Sequence, residues 1–260
     1  MPLHQQWRCV LTLDSLSWLA LGAISSAVFL GGLTKGALGI GMPLLAMPVM
    51  ALFMTVPQAL TVLTIPILVT NIWQALQGGH LKAMVQRFWD LALALAIGIA
   101  IGAQALVVLD AKLLYLVMGL VVLIQPVLRF CIPDFQFSPR TQRVVGPIFA
   151  LASGVIGGMT GFFGPLLMVY LASLGLLKDH FAAAVSMMFV IGALSLGISL
   201  AQLGFINGPE LTVSLAALLP AVAGIYLGQL IRSHISQSQF ERGLGFFLLL
   251  IGLSLLLKAF

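Results

Sequence analysis

Two stretches of this chain break apolar sequence with glycine and close on proline. They are Thr34-Lys35-Gly36-Ala37-Leu38-Gly39-Ile40-Gly41-Met42-Pro43 and Gly157-Gly158-Met159-Thr160-Gly161-Phe162-Phe163-Gly164-Pro165. Glycine weakens a helix interior by about 1 kcal/mol relative to alanine and opens left-handed backbone, while proline at the first helical position lacks an N–H that would be unpaired there anyway. Each stretch therefore reads as a helix end, a bend and a new helix start. A helix starting at Pro43, and another at Pro165, would present unpaired N–H groups and the positive end of the helix dipole. Two such starts facing each other make a site for an anion. The candidate binding residues are Gly36, Gly39, Gly41, Met42, Pro43 and Leu44 in the first stretch, with Gly158, Thr160, Gly161, Gly164, Pro165 and Leu166 in the second.

Geometry nominates others. A helix from Pro43 to Val56 rises about 20 Å at roughly 1.5 Å per residue, so the segment returning from Gln58 regains the depth of Pro43 near Asn71. Thr64 lies about two turns earlier and aligns with Ser186 in the second half, where Ser195 reaches the depth of Pro165 by the same count. These hydroxyls and amides could equally bond a neighbouring helix. Lys35 is the candidate fixed positive charge, because a cation inside a membrane is paired or functional, although at a membrane edge it would only extend its ammonium into water. Glycines also permit close helix crossing, the reading that suits Gly98-x-x-x-Gly102 and Gly224-x-x-x-Gly228. Asp90, Asp110, His80, His180 and His234 fall at helix ends or in loops, where capping or solvation accounts for them. No spacing supports a zinc site, a phosphate-binding loop or a Ser/His/Asp set, and Cys9 and Cys131 form no metal or disulfide pattern. No cofactor is expected.

The elements that must position these residues follow from composition. Hydrophobic residues are 61% of the chain and charged residues 7%, against about 25% charged in soluble domains. With a mean hydropathy of +1.15, the surface cannot face water. Only helices and closed barrels satisfy their backbone in lipid, and the apolar runs are continuous instead of alternating with period two, so the expected class is an all-α integral membrane protein. The net charge of +5 is spread over single basic residues in short loops, which signals topology and not nucleic-acid binding. The N-terminal residues carry no small-residue cleavage site and read as retained.

Ten apolar segments are expected, five on each side of a polar linker. The first five are Leu16 to Thr34, Pro43 to Val56, Gln58 to Gln77, Leu91 to Leu109 and Lys112 to Phe130; the second five are Val144 to Gly158, Pro165 to Leu177, Phe181 to Leu203, Leu211 to Ile231 and Gly243 to Phe260. The second member of each set is too short to span alone. Pro165 against Pro43 gives an offset of 122 residues that also pairs Gly158 with Gly36, so the two sets read as copies. The expected units are residues 16–130 and 144–260, joined by a cytoplasmic linker at 131–143. If the segments alternate, Lys82, Arg87, Arg129, Arg140, Arg143, Lys178, Arg232 and Arg242 share one side, leaving Arg8, Lys112 and Lys258 on the other. The first group marks the cytoplasm. Both termini are then periplasmic, the protein is multi-pass in the inner (plasma) membrane, and an odd number of segments per unit inverts the second copy. Inverted repeats with helices broken or re-entrant near the midplane are a transporter architecture.

At the paired motifs Gly36-x-x-Gly39-x-Gly41-Met42-Pro43 and Gly158-x-x-Gly161-x-x-Gly164-Pro165 the chain resembles the TSUP permeases, the TauE/SafE family of sulfite and organosulfonate exporters. Members are richer in glycine before the proline; here Gly41-Met42 and Phe163-Gly164 replace part of that run. The resemblance extends over essentially the whole chain. It implies secondary active transport of small anions, sulfite, sulfonates or related sulfur-containing organic anions, driven by a proton or sodium gradient without ATP hydrolysis. Other readings of the sequence are a passive anion channel, which the same repeat allows, and a membrane-embedded enzyme, which would need acidic residues or histidines clustered at one depth that the sequence does not offer.

Overall fold

A computed structural model describes residues 18–39, 41–77, 79–131, 138–231 and 237–260. Cys9, Arg8, Arg232, His234, Ile40 and the centre of the expected linker lie outside the described residues. Among those described, eleven helices and no strand occur: α1 (Trp18–Leu38), α2 (Met42–Phe53), α3 (Val56–Gln77), α4 (Leu81–Val108), α5 (Ala111–Cys131), α6 (Pro139–Thr160), α7 (Gly164–Ala172), α8 (Lys178–Gln202), α9 (Gly208–Ala216), α10 (Leu218–Ile231) and α11 (Gln237–Ala259). Six stretches among the described residues are long and apolar enough to cross a membrane. Outward faces are correspondingly apolar: Trp89, Leu93, Ile97 and Ile101 form an exposed stripe along α4, and Leu219, Val222, Tyr226 and Leu230 another along α10. Apolar faces of that extent require lipid or protein against them.

Several boundaries differ from those read off hydropathy. α4 starts at Leu81, ten residues before the apolar run, because Lys82, Arg87 and Asp90 sit on a helix that continues past its apolar part and kinks at Phe88 (φ −124°, ψ 25°). α6 starts at Pro139, where Ser138 caps it by accepting from the Thr141 N–H, so the end of the expected linker is helix. α7 stops at Ala172 after nine residues, and the segment expected at Leu211 to Ile231 is two helices parted at Ala217.

Glycine sets the principal contacts between the two halves. A Cβ on Gly32 or Gly36 of α1 would run into the backbone of Ala221 or Ile225 on α10, and one on Gly224 or Gly228 into that of Phe29 or Leu33. α4 and α6 repeat the arrangement, with Gly98 and Gly102 against Leu151 and Val155, and Gly154 and Gly158 against Leu95 and Ile99. These are small-x-x-x-small crossings in which backbones touch directly. α3 packs on α8, and α5 on α11.

Proline inside α3 is handled by a neighbour. Pro66 cannot donate to the Val62 carbonyl, and the Ser214 hydroxyl of α9 does so instead at 3.0 Å while accepting the Ile65 N–H at 3.1 Å. At one end of the bundle the His80 and His180 rings meet edge-on at 4.4 Å. At another, Lys258 donates to the last carbonyls of α2, Ala51 at 2.8 Å and Leu52 at 3.3 Å, and lies over the Tyr115 ring. A cation there complements the negative end of the α2 dipole.

Candidate functional site

Both glycine-proline stretches break their helices, a few residues later than the first glycines. α1 runs through Lys35 and Gly36 to Leu38; Gly39 then turns left-handed (φ 80°), its N–H closing on the Lys35 carbonyl at 2.7 Å. Gly41 (φ 98°) caps α2, whose second residue is Pro43, and the Leu44 N–H closes on the Gly41 carbonyl at 3.0 Å. The second break repeats this. α6 ends at Thr160, the N–H of left-handed Gly161 (φ 79°) closes on the Gly157 carbonyl at 2.7 Å, and α7 starts at Gly164 with Pro165 second. Thr160 donates to the Ile156 carbonyl at 2.7 Å and accepts the Phe162 N–H at 3.2 Å, so its role in the fold is to shape the turn. Left-handed backbone is open to glycine at little cost, which is why these three positions are glycine.

The two breaks meet. One cavity is lined by Gly41, Pro43 and Leu44 from the first and by Gly161, Gly164 and Pro165 from the second, with Leu38, Phe162, Phe163, Met168 and Phe189 completing its wall. It offers about 40 Å³ for the centres of water-sized groups, where roughly 10–15 Å³ holds one water. A few waters or one small anion fit.

The remaining candidates are distributed around it. Lys35, 6% exposed, lies one turn before Leu38 and donates to Asn71 Oδ1 at 2.6 Å. Its ammonium is therefore held inside the bundle and does not extend to a surface. Asn71 in turn donates through Nδ2 to the Ile67 carbonyl at 2.7 Å, which fixes Oδ1 toward the lysine. Gly39 offers its carbonyl to Gln74 Nε2 at 2.8 Å. Thr64 bonds back to the Leu60 carbonyl and faces Gly197 at the α3–α8 contact. Ser186 is fully buried, and its hydroxyl has no hydrogen-bond partner among the described residues. Gly36 and Gly158 serve the helix crossings, Met42 is buried beneath the α1–α2 contact at Gly31, and Leu166 is half-buried; none of these four is among the cavity residues.

Gln74 and the aromatic wall were missing from the sequence reading. Gln74 was detectable, as an amide one turn after Asn71 in an otherwise apolar helix. The aromatics were not, since a phenylalanine facing a cavity has the same sequence signature as one facing lipid. Phe163 and Phe189 pack edge-on at 5.2 Å, and Gly157 and Gly192 are glycine because Phe163 fills the space a Cβ would take. Gly157 follows Lys35 by the same 122 residues that separate Pro165 from Pro43. The two breaks thus differ in chemistry, a lysine and amides behind the first and aromatic rings behind the second.

A family model for the sulfite exporter TauE/SafE matches residues 24–255. The chain belongs to the TauE/SafE family. This is a family of membrane transporters and not of enzymes, and its name describes the export of a sulfur anion. No curated protein and no solved structure matches the chain. The cavity between the breaks brings together the first turns of α2 and α7, where unpaired N–H groups and the positive ends of helix dipoles lie, within largely apolar walls.

Proposed function

We propose that this TauE/SafE protein is a secondary active transporter, exporter or permease, that binds a small sulfur anion such as sulfite or a sulfonate between the starts of α2 and α7 and exposes it alternately to the two sides. One observation carries the reading: residues from both helix breaks, more than a hundred positions apart in sequence, line a single cavity of small-anion size. Each helix start contributes a positive dipole end worth about 0.3–1 kcal/mol toward an anion, and up to ~2 kcal/mol in partly buried geometry. Lys35 adds a buried cationic side chain one turn before Leu38, a residue of the cavity wall.

Inverted repeats of residues 16–130 and 144–260, joined by the linker at 131–143, form the proposed scaffold. Support comes from the pairing of contacts. If α1 to α3 correspond to α6 to α8, α4 to α9 plus α10, and α5 to α11, then the α1–α10 crossing is the counterpart of the α6–α4 crossing, while α3–α8 and α5–α11 are each their own counterpart. Breaking both helices near the bilayer midplane fits the rule that irregular backbone at that depth lines a cavity. Topology is also supported from the ends. Alternation assigns His80 and His180 to one side, and they touch; it assigns Lys112, Phe260, Lys258 and the end of α2 to the other, and Lys112 reaches the Phe260 carbonyl while Lys258 reaches α2. The bias of basic residues toward the first side supports reading it as cytoplasmic, with both termini periplasmic.

Reconstitution tests this reading. Proteoliposomes holding the purified chain should accumulate or release at least one of sulfite, thiosulfate, sulfoacetate, sulfolactate and taurine under an imposed proton or sodium gradient. Failure with all five would refute it, and resolved single-channel currents in a planar bilayer would replace a carrier by a channel.

A further inference from the structure

A buried lysine usually sits against a carboxylate, and Lys35 does not. Among the described residues its hydrogen-bond partner is the neutral Asn71 amide, and no ion pair to it occurs. Nor do the surrounding elements supply a counter-charge. α2 and α10, which pack on α1, and α3, which holds Asn71, contain no Asp, Glu, His, Lys or Arg, and the one tyrosine among them, Tyr226 of α10, is exposed. The buried Glu210 belongs to α9, on α3, one turn from Ser214, whose hydroxyl meets Val62 and Ile65, two turns or so before Asn71. On the cavity's other wall, the Tyr170 hydroxyl of α7 is bonded to the Gln142 carbonyl, and Lys178, Asp179 and His180 sit in the first turn of α8, three turns or so before Phe189.

An ammonium taken out of water with no opposite charge is strongly disfavoured. An anion in the cavity, whose wall includes Leu38 one turn further along α1, would supply that charge, and when it leaves the penalty returns. Asn71 suits a lysine that changes state. Its Oδ1, fixed by the Nδ2 bond to Ile67, accepts equally from an ammonium or from a neutral amine, whereas a carboxylate there would hold the ammonium permanently. Building on the anion site proposed above, we propose that Lys35 carries the proton that travels with the anion. The amine takes one proton from water as the anion enters, giving an ammonium beside the anion, and returns it as the anion leaves. With the empty site neutral, a monoanion then crosses with no net charge at this site, and a dianion such as sulfoacetate with one negative charge instead of two. Anion and proton bind with reciprocal coupling, and the co-transported ion is the proton and not sodium.

Calorimetric titration of the detergent-solubilised full-length chain with sulfoacetate decides this. Its two acid groups stay ionised between about pH 6 and 9, so any proton taken up belongs to the protein. Repeating the titration in buffers of different ionisation enthalpy gives the number of protons per anion. The expected result is close to one proton at some pH in that range for the unsubstituted chain and for the surface control Lys112→Gln. Whatever binding survives in Lys35→Arg, whose charge is permanent, should come with none. Asn71→Asp, which supplies a fixed counter-charge, should likewise abolish uptake and weaken sulfoacetate binding at least tenfold; it carries the test if the arginine variant does not fold. Binding without proton uptake, or uptake that persists in both variants, overturns the proposal and leaves the anion site standing. An unsubstituted chain that binds no sulfoacetate overturns this inference, while the anion reading falls only if the other four candidates fail as well.

Discussion

Alanine placed at Gly36 and at Gly22 should move stability in opposite directions, although both glycines lie on α1. Nothing lies within 4 Å of a Cβ built on Gly22, so Gly22→Ala gains only the helix propensity of alanine, up to about 1 kcal/mol. At Gly36 the same methyl meets the Ile225 carbonyl, Ile225 carbon and Gln229 nitrogen. These are backbone atoms of a packed helix and cannot rotate aside. α1 and α10 must separate, and overpacking of this kind costs about 1–3 kcal/mol. Set against the propensity gain, the net loss is up to about 2 kcal/mol, and because that gain is common to both variants they should differ by the overpacking cost itself, roughly 1–3 kcal/mol. By the scaling for chains near this length that is about 2–12 °C in Tm. Gly158→Ala, which meets the Ile99 carbonyl on α4, should behave like Gly36→Ala. The assay is thermal unfolding of purified protein in one detergent, followed by intrinsic tryptophan fluorescence. A Gly36→Ala chain as stable as Gly22→Ala would refute the direct backbone contact between α1 and α10, and a large difference between Gly36→Ala and Gly158→Ala would refute the equivalence of the two crossings.

Three further outcomes are expected. Ser214→Ala should destabilise by about 1–2 kcal/mol, because it strands the Val62 carbonyl that Pro66 cannot serve; Ser214→Thr, which keeps the hydroxyl, should recover part of that in the same unfolding assay. Phe163→Ala should cost about 3–5 kcal/mol through the void left against Phe189, Gly157 and Gly192, and Phe163→Leu distinctly less. Gly41→Ala meets no close neighbour, so its cost is the left-handed backbone alone, about 1–2 kcal/mol; folded protein should persist while uptake into proteoliposomes falls, since the strain sits at the cavity.

How much could be read from the sequence depended on what each residue's signal can distinguish. Hydropathy located every span, but not where helices end, because polar residues such as Lys82 and Arg87 continue a helix beyond its apolar part without announcing it. Spacing identified Gly98-x-x-x-Gly102 and Gly224-x-x-x-Gly228 as crossings. It could not reveal that their partners are Gly154/Gly158 and Gly32/Gly36, since those lie in the other half of the chain and two of them fall inside the binding motif. A residue count from Pro43 pointed to Asn71, which meets Lys35 at 2.6 Å. The same kind of count could not say which way Thr64 faces, and it faces α8. Nor could it tell a snorkelling lysine from a buried one, because depth along a helix carries no information about the neighbour that closes over it.

The proposed site requires both helix breaks to face one anion, and thiol protection measures that directly. In a chain with Cys9 and Cys131 replaced by serine, Leu44→Cys samples the first break and Met168→Cys the second, each labelled separately by a small water-soluble methanethiosulfonate. Sulfoacetate should slow labelling at both positions with the same half-saturating concentration. Protection at one position only, or at clearly different concentrations for the two, would contradict a shared site.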